Sequence, residues 1–324
     1  MSTTSVRPPT SLSPSRAADF KTCPLMYRFR AIDRLPEPTT TAMMKGTLVH
    51  AVLERLYDLA AAERTRTRAT AMLEPEWQRL QRQQQEAAEL FDGEDTDAER
   101  QWLTEAKVLV ESYFEVEDPT RLAPAERECL VEATLDDGVR MRGYIDRLDI
   151  APGGEVRVVD YKTGKAPKPA FEAQALFQLK FYALALWRTR GVIPKILRLL
   201  YLKDSQVIDY APTESELRRL EKTVSALWQT ISQAVATGNF PAKKGPLCGW
   251  CSHQALCPEF GGTPPPYPLP VQLAGLDGIQ GLSSATNSTP IETKHTIGLR
   301  FLRNRGGLPL SCSQQYRNPI STSG

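Results

Sequence analysis

The sequence predicts an α/β protein, a sheet core with helices on its faces, and three observations carry that prediction. Long stretches with apolar residues at helical spacing open the chain, as in "GTLVHAVLERLYDLAAAER" at 46–64. Strand-like segments joined by hairpin-type turns follow Pro124. A strong helix at 170–190 then separates those strands from a further strand pair, and a last helix follows. Bulk composition agrees. The 324 residues, 41% apolar and 24% charged, are ordinary for a globular protein and allow one large domain or two modest ones. With a formal net charge of only +2, any surface attracting nucleic acid must be local.

The elements follow in order. Residues 1–12, polar and rich in Pro, Ser and Thr, predict a disordered lead-in. "SPSRAADFKTCPLMYRFRAI" predicts a short helix and turn, with Ser13 or Ser15 as N-cap. In 46–64, Leu48, Val49, Val52, Leu53, Leu56 and Leu59 form one broad apolar face. Two more helices are expected at 72–91 and 95–116, broken at "GED". "ERECLVEATLDD", "GVRMRGYIDRLDI" and "GEVRVVDYKTG" predict three strands, with "DDG" and "APGG" as their turns. "KILRLLYLKDSQVIDY" predicts a strand pair, and 213–238 a helix opened by a capping box of Thr213 and Glu216. There is no internal repeat. The main domain is expected over 13–260. After it "GGTPPPYPLP" reads as a tether, and 261–324 is expected to be largely disordered. No apolar run reaches the ~20 residues of a membrane helix, and the N-terminus lacks the apolar core of a secretory signal. A cytoplasmic, reducing location is expected, with the six cysteines serving as ligands or core residues rather than disulfides.

The chemistry gathers around "VVDYKTGKAP". On a strand, Asp160 and Lys162 share a face about 6.5–7 Å apart, with Val156 and Val158 behind them. Alone, that is an ordinary strand-end ion pair. Asp146 lies 160 − 146 = 14 residues earlier, across the "APGG" turn, so the hairpin can oppose the two carboxylates. Like charges so placed call for a cation, and Mg²⁺ or Mn²⁺ takes such ligands while keeping waters for chemistry. Asp149 is the alternative acid. His50, one of three histidines, sits in an apolar helix stripe and is either a core residue or a neutral imidazole ligand, with Glu54 one turn on to satisfy its second nitrogen. Gln174, Gln178 and Tyr182 form a polar stripe at i, i+4 and i+8, either a core boundary or a nucleic-acid contact. Cys248, Cys251 and Cys257 have C-x2-C-x5-C spacing, and Cys23 lies 248 − 23 = 225 positions before the first of them. Zinc, with His253 completing a Cys3His set, and a four-thiolate [4Fe–4S] cluster both suit these residues. Cys129 reads as a strand residue and Cys312 lies in the tail. Arg16, Lys21, Arg28, Arg30, Lys243 and Lys244 offer a local phosphate-tracking surface or a solvated basic face.

Several motifs, in the order expected along the chain, resemble the RecB-like exonuclease branch of the PD-(D/E)XK nuclease superfamily, over roughly residues 13–260. "GYIDRLDI" with "VVDYKTG" resembles its core, "GTLVHAVLERL" its histidine motif and "QLKFYALAL" its Q-x-x-x-Y motif. "SPSRAADFKTCPLMYRFR" with "CGWCSHQALCP" resembles the four-cysteine iron–sulfur arrangement of the subset that includes the AddB nuclease domain. The resemblance implies a restriction-endonuclease-like mixed sheet flanked by helices, with a cluster joining the domain's two ends. It implies a Mg²⁺- or Mn²⁺-dependent deoxyribonuclease, an exonuclease of DNA repair or recombination. His50, Asp146, Asp160 and the Tyr161 carbonyl would hold the ion, and Lys162 would position water or stabilise phosphate charge. Gln178 and Tyr182 would contact DNA that is single-stranded or has ends, and Cys23, Cys248, Cys251 and Cys257 would hold the [4Fe–4S] cluster. Such a shared centre restricts the unfolded chain by about 4–5 kcal/mol if treated as a cross-link. No GxxxxGK[ST] motif is present, so any helicase would act in trans. The competing expectations are a non-catalytic DNA-end or single-strand binding module and a zinc-stabilised interaction protein.

Overall fold

The computed structural model of the protein describes residues 9–93 and 96–267. Residues 1–8 of the expected lead-in and 268–324 of the expected tail, Cys312 included, lie outside the described residues. Residues 9–10, 16–36 and 227–267 form one compact unit, and 11–15, 37–93 and 96–226 a second.

The helices are α1 (Pro14–Thr22), α2 (Pro24–Tyr27), α3 (Thr41–Leu56), α4 (Arg66–Ala71), α5 (Leu73–Gln83), α6 (Gln85–Ala88), α7 (Thr96–Val116), α8 (Glu172–Ala175), α9 (Phe177–Arg190) and α10 (Glu214–Thr237). Helix α3 begins before the predicted start because Thr40 caps it, its hydroxyl accepting from the Met43 amide at 3.2 Å. It ends at Leu56, well short of residue 64, and a 3₁₀ turn at Ala61–Glu63 follows. Of the predicted apolar stripe, Leu48, Val49, Val52, Leu53 and Leu56 are buried on α3, while Leu59 lies past its end and is half-buried. The helix expected over 72–91 is divided at Gln84, whose backbone is extended. Thr213 and Glu216 make the capping box of α10, the Thr213 hydroxyl accepting from the Glu216 amide and the Glu216 carboxylate from the Thr213 amide.

The second unit carries one five-stranded mixed sheet in sequential order: β1 (Glu126–Thr134), β2 (Arg140–Ile150), β3 (Val156–Lys162), β4 (Ile196–Tyr201) and β5 (Gln206–Tyr210). Strands β1, β2 and β3 pair antiparallel, and the second of those turns uses Gly154 at φ +88°, a conformation other residues adopt at a cost. Strand β3 pairs parallel with β4, a connection that needs a crossover, and α8 and α9 supply it. Val158 and Val159 on β3 and Leu197, Leu199 and Leu200 on β4 are all buried, as central strands covered on both faces require. Leu12, placed by composition in the lead-in, is fully buried and hydrogen-bonds to Arg140 and Arg142 of β2, extending the sheet by one bridge. An apolar side chain and a free strand edge decide this against the polar residues before it.

Arg147 is fully buried at the centre of this unit. Its guanidinium donates to the hydroxyls of Tyr57 (3.0 Å), Tyr113 (3.3 Å) and Tyr161 (2.9 Å), and to the carboxylates of Glu117 (3.0 Å) and Asp149 (3.2 Å). Arg198 of β4 also donates to Glu117, and Arg157 of β3 to Asp149. The alternative acid Asp149 is thus spent on arginines. The network ties α3, α7 and strands β2–β4 together through groups that would be costly to bury singly.

In the first unit, Phe20, Tyr27, Phe29, Ile231 and Phe240 form the core. Tyr267, in the stretch read as a tether, packs on Phe240 and donates to the Val235 carbonyl at 2.9 Å. Arg28 lies over the Tyr267 ring and pairs with Asp33 at 2.9 Å. An aromatic side chain anchors what the prolines alone would leave loose. Among the described residues no helix is long and apolar enough to cross a membrane.

Glu117 is enclosed, which by itself would raise its pKa, yet Arg147 and Arg198 outweigh burial and hold it below the ordinary carboxylate value. Such a group stabilises the fold above the unfolded-chain pKa of about 4.3 and loses that contribution as pH falls through the folded value. Glu117→Gln is therefore expected to cost about 3–5 kcal/mol at neutral pH. In urea melts its deficit should shrink as the pH is lowered below ~4. A deficit independent of pH would mean that the charge of Glu117 is not what closes the cluster.

Candidate functional site

The register of the sheet builds the site. On β1 and β2 the pairs run Arg127↔Arg147 and then Cys129↔Ile145, so Glu128 stands opposite Asp146 at the interruption between them. On β2 and β3 the last pair is Arg147↔Val159, and one residue further Asp146 stands opposite Asp160. Three acidic residues therefore occupy one row across three adjacent strands, whose spacing is about 4.8 Å. Glu128 holds φ +45°, a left-handed conformation that costs a non-glycine residue about 1–2 kcal/mol. The strain falls where the ladder opens.

From α3, His50 reaches the same row. Its Nδ1 lies 3.5 Å from Asp146 Oδ2 and its Nε2 3.0 Å from the Tyr161 carbonyl oxygen. The expectation that Glu54 serves its second nitrogen does not hold, because Asp146 and Tyr161 occupy both. Asp146 Oδ2 also accepts from the Tyr161 amide at 2.8 Å. Ligand atoms of His50, Glu128 and Asp146 all lie within 4.8 Å of one another. Asp160 is outside that set. Its carboxylate is buried and pairs with Lys162 Nζ at 2.6 Å.

Electrostatics follow from the crowding. Burial, then Asp146, Glu54 and Asp160, push Glu128 up to about 9. Burial and Asp160 push Asp146 up to about 6, against the pull of His50, the Tyr161 amide and Lys162. Burial works against the charge of Lys162, but Asp160 beside it prevails and holds its pKa above the ordinary lysine value. Lys162 is a fixed cation and donor, and a poor base.

Lys162 donates to Gln178 Oε1 at 2.9 Å, and Gln178 Nε2 donates to the Tyr182 hydroxyl at 2.9 Å. Tyr182 is buried, so its hydroxyl braces Gln178 instead of reaching outward. Gly143 makes room for it: a Cβ there would lie 2.4 Å from the Tyr182 ring. The polar stripe is shorter than predicted, since Gln174 belongs to α8 and only Gln178 and Tyr182 share α9.

In the first unit, Cys23, Cys248, Cys251 and Cys257 are half-buried thiols lining one cavity of about 300 Å³. Leu25, Met26 and Phe29 supply apolar wall, and buried His253 stacks edge-on against Phe29. Backbone amides aim at the sulfurs, from Lys243 to Cys23 at 3.4 Å and from Gly245 to Cys248 at 3.3 Å. Of the basic residues read as a phosphate surface, Arg28 is buried against Asp33 and Arg30 pairs with Asp19. The lysines at 21, 243 and 244 remain exposed. Cys129 is buried in β1.

The profile of the PD-(D/E)XK nuclease superfamily matches residues 11–258. The chain belongs to the PD-(D/E)XK nuclease superfamily. Among related proteins of this PD-(D/E)XK chain, the Gene 69 protein of Mycobacterium phage L5 is 30% identical over 129 residues, covering 38% of this chain and 41% of that protein. The Gene 69 protein of Mycobacterium phage D29 is 24% identical over 284 residues, 76% of this chain and 96% of that protein. The match thus spans under half of the first relative and nearly all of the second. A crystal structure of a candidate exonuclease from Eubacterium rectale aligns with a TM-score of 0.49 at 14% identity, covering 75% of this chain and 88% of that one. The mixed sheet and the His50–Glu128–Asp146 group accord with a superfamily that works with divalent metals.

Glu128 is the site residue that sequence reasoning missed. Its crowding predicts a measurable cost in protein freed of metal. A carboxyl whose folded pKa lies above the unfolded value loses stability as pH rises between the two. In EDTA at pH 8, Glu128→Gln should raise the melting temperature by about 2–8 °C, from ~1–2 kcal/mol of relief. The gain should fade toward pH 4–5, and a variant no more stable at pH 8 would show that the row is not under repulsion.

Proposed function

We propose that this chain is a Mg²⁺- or Mn²⁺-dependent deoxyribonuclease of the RecB-like type, trimming DNA ends, with an iron–sulfur centre held by Cys23, Cys248, Cys251 and Cys257. The row Glu128–Asp146–Asp160, with an imidazole at one side and an ammonium at the other, carries the reading. One nitrogen and several carboxylate oxygens, with Glu128 and Asp146 raised by burial and by neighbouring acids, form a donor set suited to those hard cations. His50, Asp146 and Glu128 would hold the ion, with Asp160 and the Tyr161 carbonyl at its border. A bound divalent ion lowers the pKa of a coordinated water and offsets charge at a phosphate.

The chain's own groups do the rest. Lys162, kept charged by Asp160, donates to the phosphate as negative charge builds there. Gln178, braced by Tyr182, fixes where that ammonium points. Those two residues therefore serve the lysine first, and any contact with DNA is made by Gln178. For the cysteines, backbone amides donate to the sulfurs of Cys23 and Cys248, the kind of hydrogen bond that tunes a sulfur-ligated cluster. Tetrahedral zinc draws its sulfurs to about 3.8 Å of one another, given Zn–S near 2.3 Å. All four thiols line one cavity of about 300 Å³, and a [4Fe–4S] cluster is bulkier than a single zinc ion and takes four thiolates without His253. The reading extends to DNA repair or recombination, with unwinding left to a separate helicase.

Protein purified without oxygen, given end-labelled single- and double-stranded DNA with Mn²⁺ or EDTA, tests this directly. Mn²⁺-dependent shortening is expected, reduced at least ~100-fold by Asp160→Ala or Lys162→Ala. Full activity in either variant contradicts the site, and end binding without cleavage would instead support a binding module. The same preparation should be brown and contain iron, with Cys251→Ser colourless. A colourless wild type containing zinc contradicts the cluster.

A further inference from the structure

We propose that Arg147 and Tyr161 are a positioning pair that sets His50 and Asp146 for the cation, acting through the backbone of β3. This rests on the metal reading above. Tyr161 lies between Asp160 and Lys162, and its main chain forms part of the site: the amide donates to Asp146 Oδ2 at 2.8 Å, and the carbonyl lies 3.0 Å from His50 Nε2. Its ring meets the imidazole edge-on, centroids 5.8 Å apart at 85°. Three separate contacts of one residue thus define where both candidate ligands point.

What holds Tyr161 is the Arg147 guanidinium, which donates to its hydroxyl at 2.9 Å. Arg147 is itself immobile. It has no exposed surface, and the rigid fork of its guanidinium is shared among Tyr57, Tyr113, Glu117 and Asp149. The ladder cannot do the same work from this side. The β2–β3 pairs end at Arg147↔Val159, one residue short of the acids, while the β4 ladder continues to Lys162. Across that opening the links between β2 and Tyr161 are the Asp146 carboxylate and the Arg147 fork. Arg147 also follows Asp146 directly in the chain, so one short stretch supplies a ligand and the clamp that orients it.

A cluster that merely stabilised the fold would change melting and leave cation affinity alone, so the test measures both. Tyr161→Phe keeps the ring and removes only the hydroxyl. Mn²⁺ binding by calorimetry without DNA should weaken about 10-fold. Arg147→Lys, where it folds, should weaken it at least as much. In the cleavage assay, half-saturating Mn²⁺ should rise in parallel while the rate at saturating Mn²⁺ stays within about 3-fold of wild type. Val224→Ala, a core change on α10, should lower the melting temperature and leave Mn²⁺ affinity unchanged. If wild type binds Mn²⁺ and Tyr161→Phe binds it equally well, the positioning role is wrong. If wild type itself binds none, the metal reading fails, and this inference with it.

Discussion

Three carboxylates on one rung of a sheet are a repulsive arrangement, and much of this unit is organised around that constraint. Opposed like charges on neighbouring strands destabilise their pairing, and here the ladders give way accordingly. The β1–β2 pairing opens at Glu128 and Asp146, and the β2–β3 pairing stops before Asp160. Glu128 even departs into left-handed backbone. A sheet selected for stability alone would place valine at these positions, as β3 does two residues earlier at Val158. Crowded acids beside an imidazole suit a divalent cation, and the ammonium of Lys162 pairs with only one of the three, Asp160.

Compensation comes from the residues next door. Strand alternation gives Asp146 and Arg147, or Asp160 and Tyr161, different surroundings although they adjoin in sequence. The acids meet His50 and Lys162, while Arg147 and Tyr161 meet Tyr57, Tyr113 and Glu117. A buried arginine surrounded by tyrosine hydroxyls and carboxylates is stable only as a complete set. That requirement pins α3, α7, β2 and β3 to one arrangement. The network and the site share parts, because Tyr57 directly follows the helix that carries His50, and Tyr161 belongs to both.

Much of this arrangement was readable before any coordinates, and the limits have physical causes. Asp146, Asp160 and Lys162 stood out because a period of two and a marked turn determine which side chains meet. The same arithmetic, applied to the "DDG" turn, puts Glu128 across from Asp146, but "EREC" offers several charges and none looks special without the register. Arg147 is hidden in the sequence for a different reason. A charged residue in a strand reads as solvent-facing, and only the tertiary convergence of three tyrosines reveals burial. The ending of α3 at Leu56 and the packing of Tyr267 and Leu12 likewise depend on contacts far away in the chain. For the cysteines, spacing picks out Cys248, Cys251 and Cys257 and the family resemblance adds Cys23, and folding brings all four to one cavity despite the long separation of Cys23.

In the proposed site the acidic row and His50 together grip a divalent ion. A crystal of the protein soaked in Mn²⁺ and measured at the manganese absorption edge addresses it most directly. An anomalous peak is expected within about 2.0–2.4 Å of a His50 ring nitrogen and an Asp146 oxygen, with a second carboxylate of the row completing the grip. A crystal that takes up Mn²⁺ elsewhere while this pocket shows no peak, with Lys162 or water in its place, would contradict it.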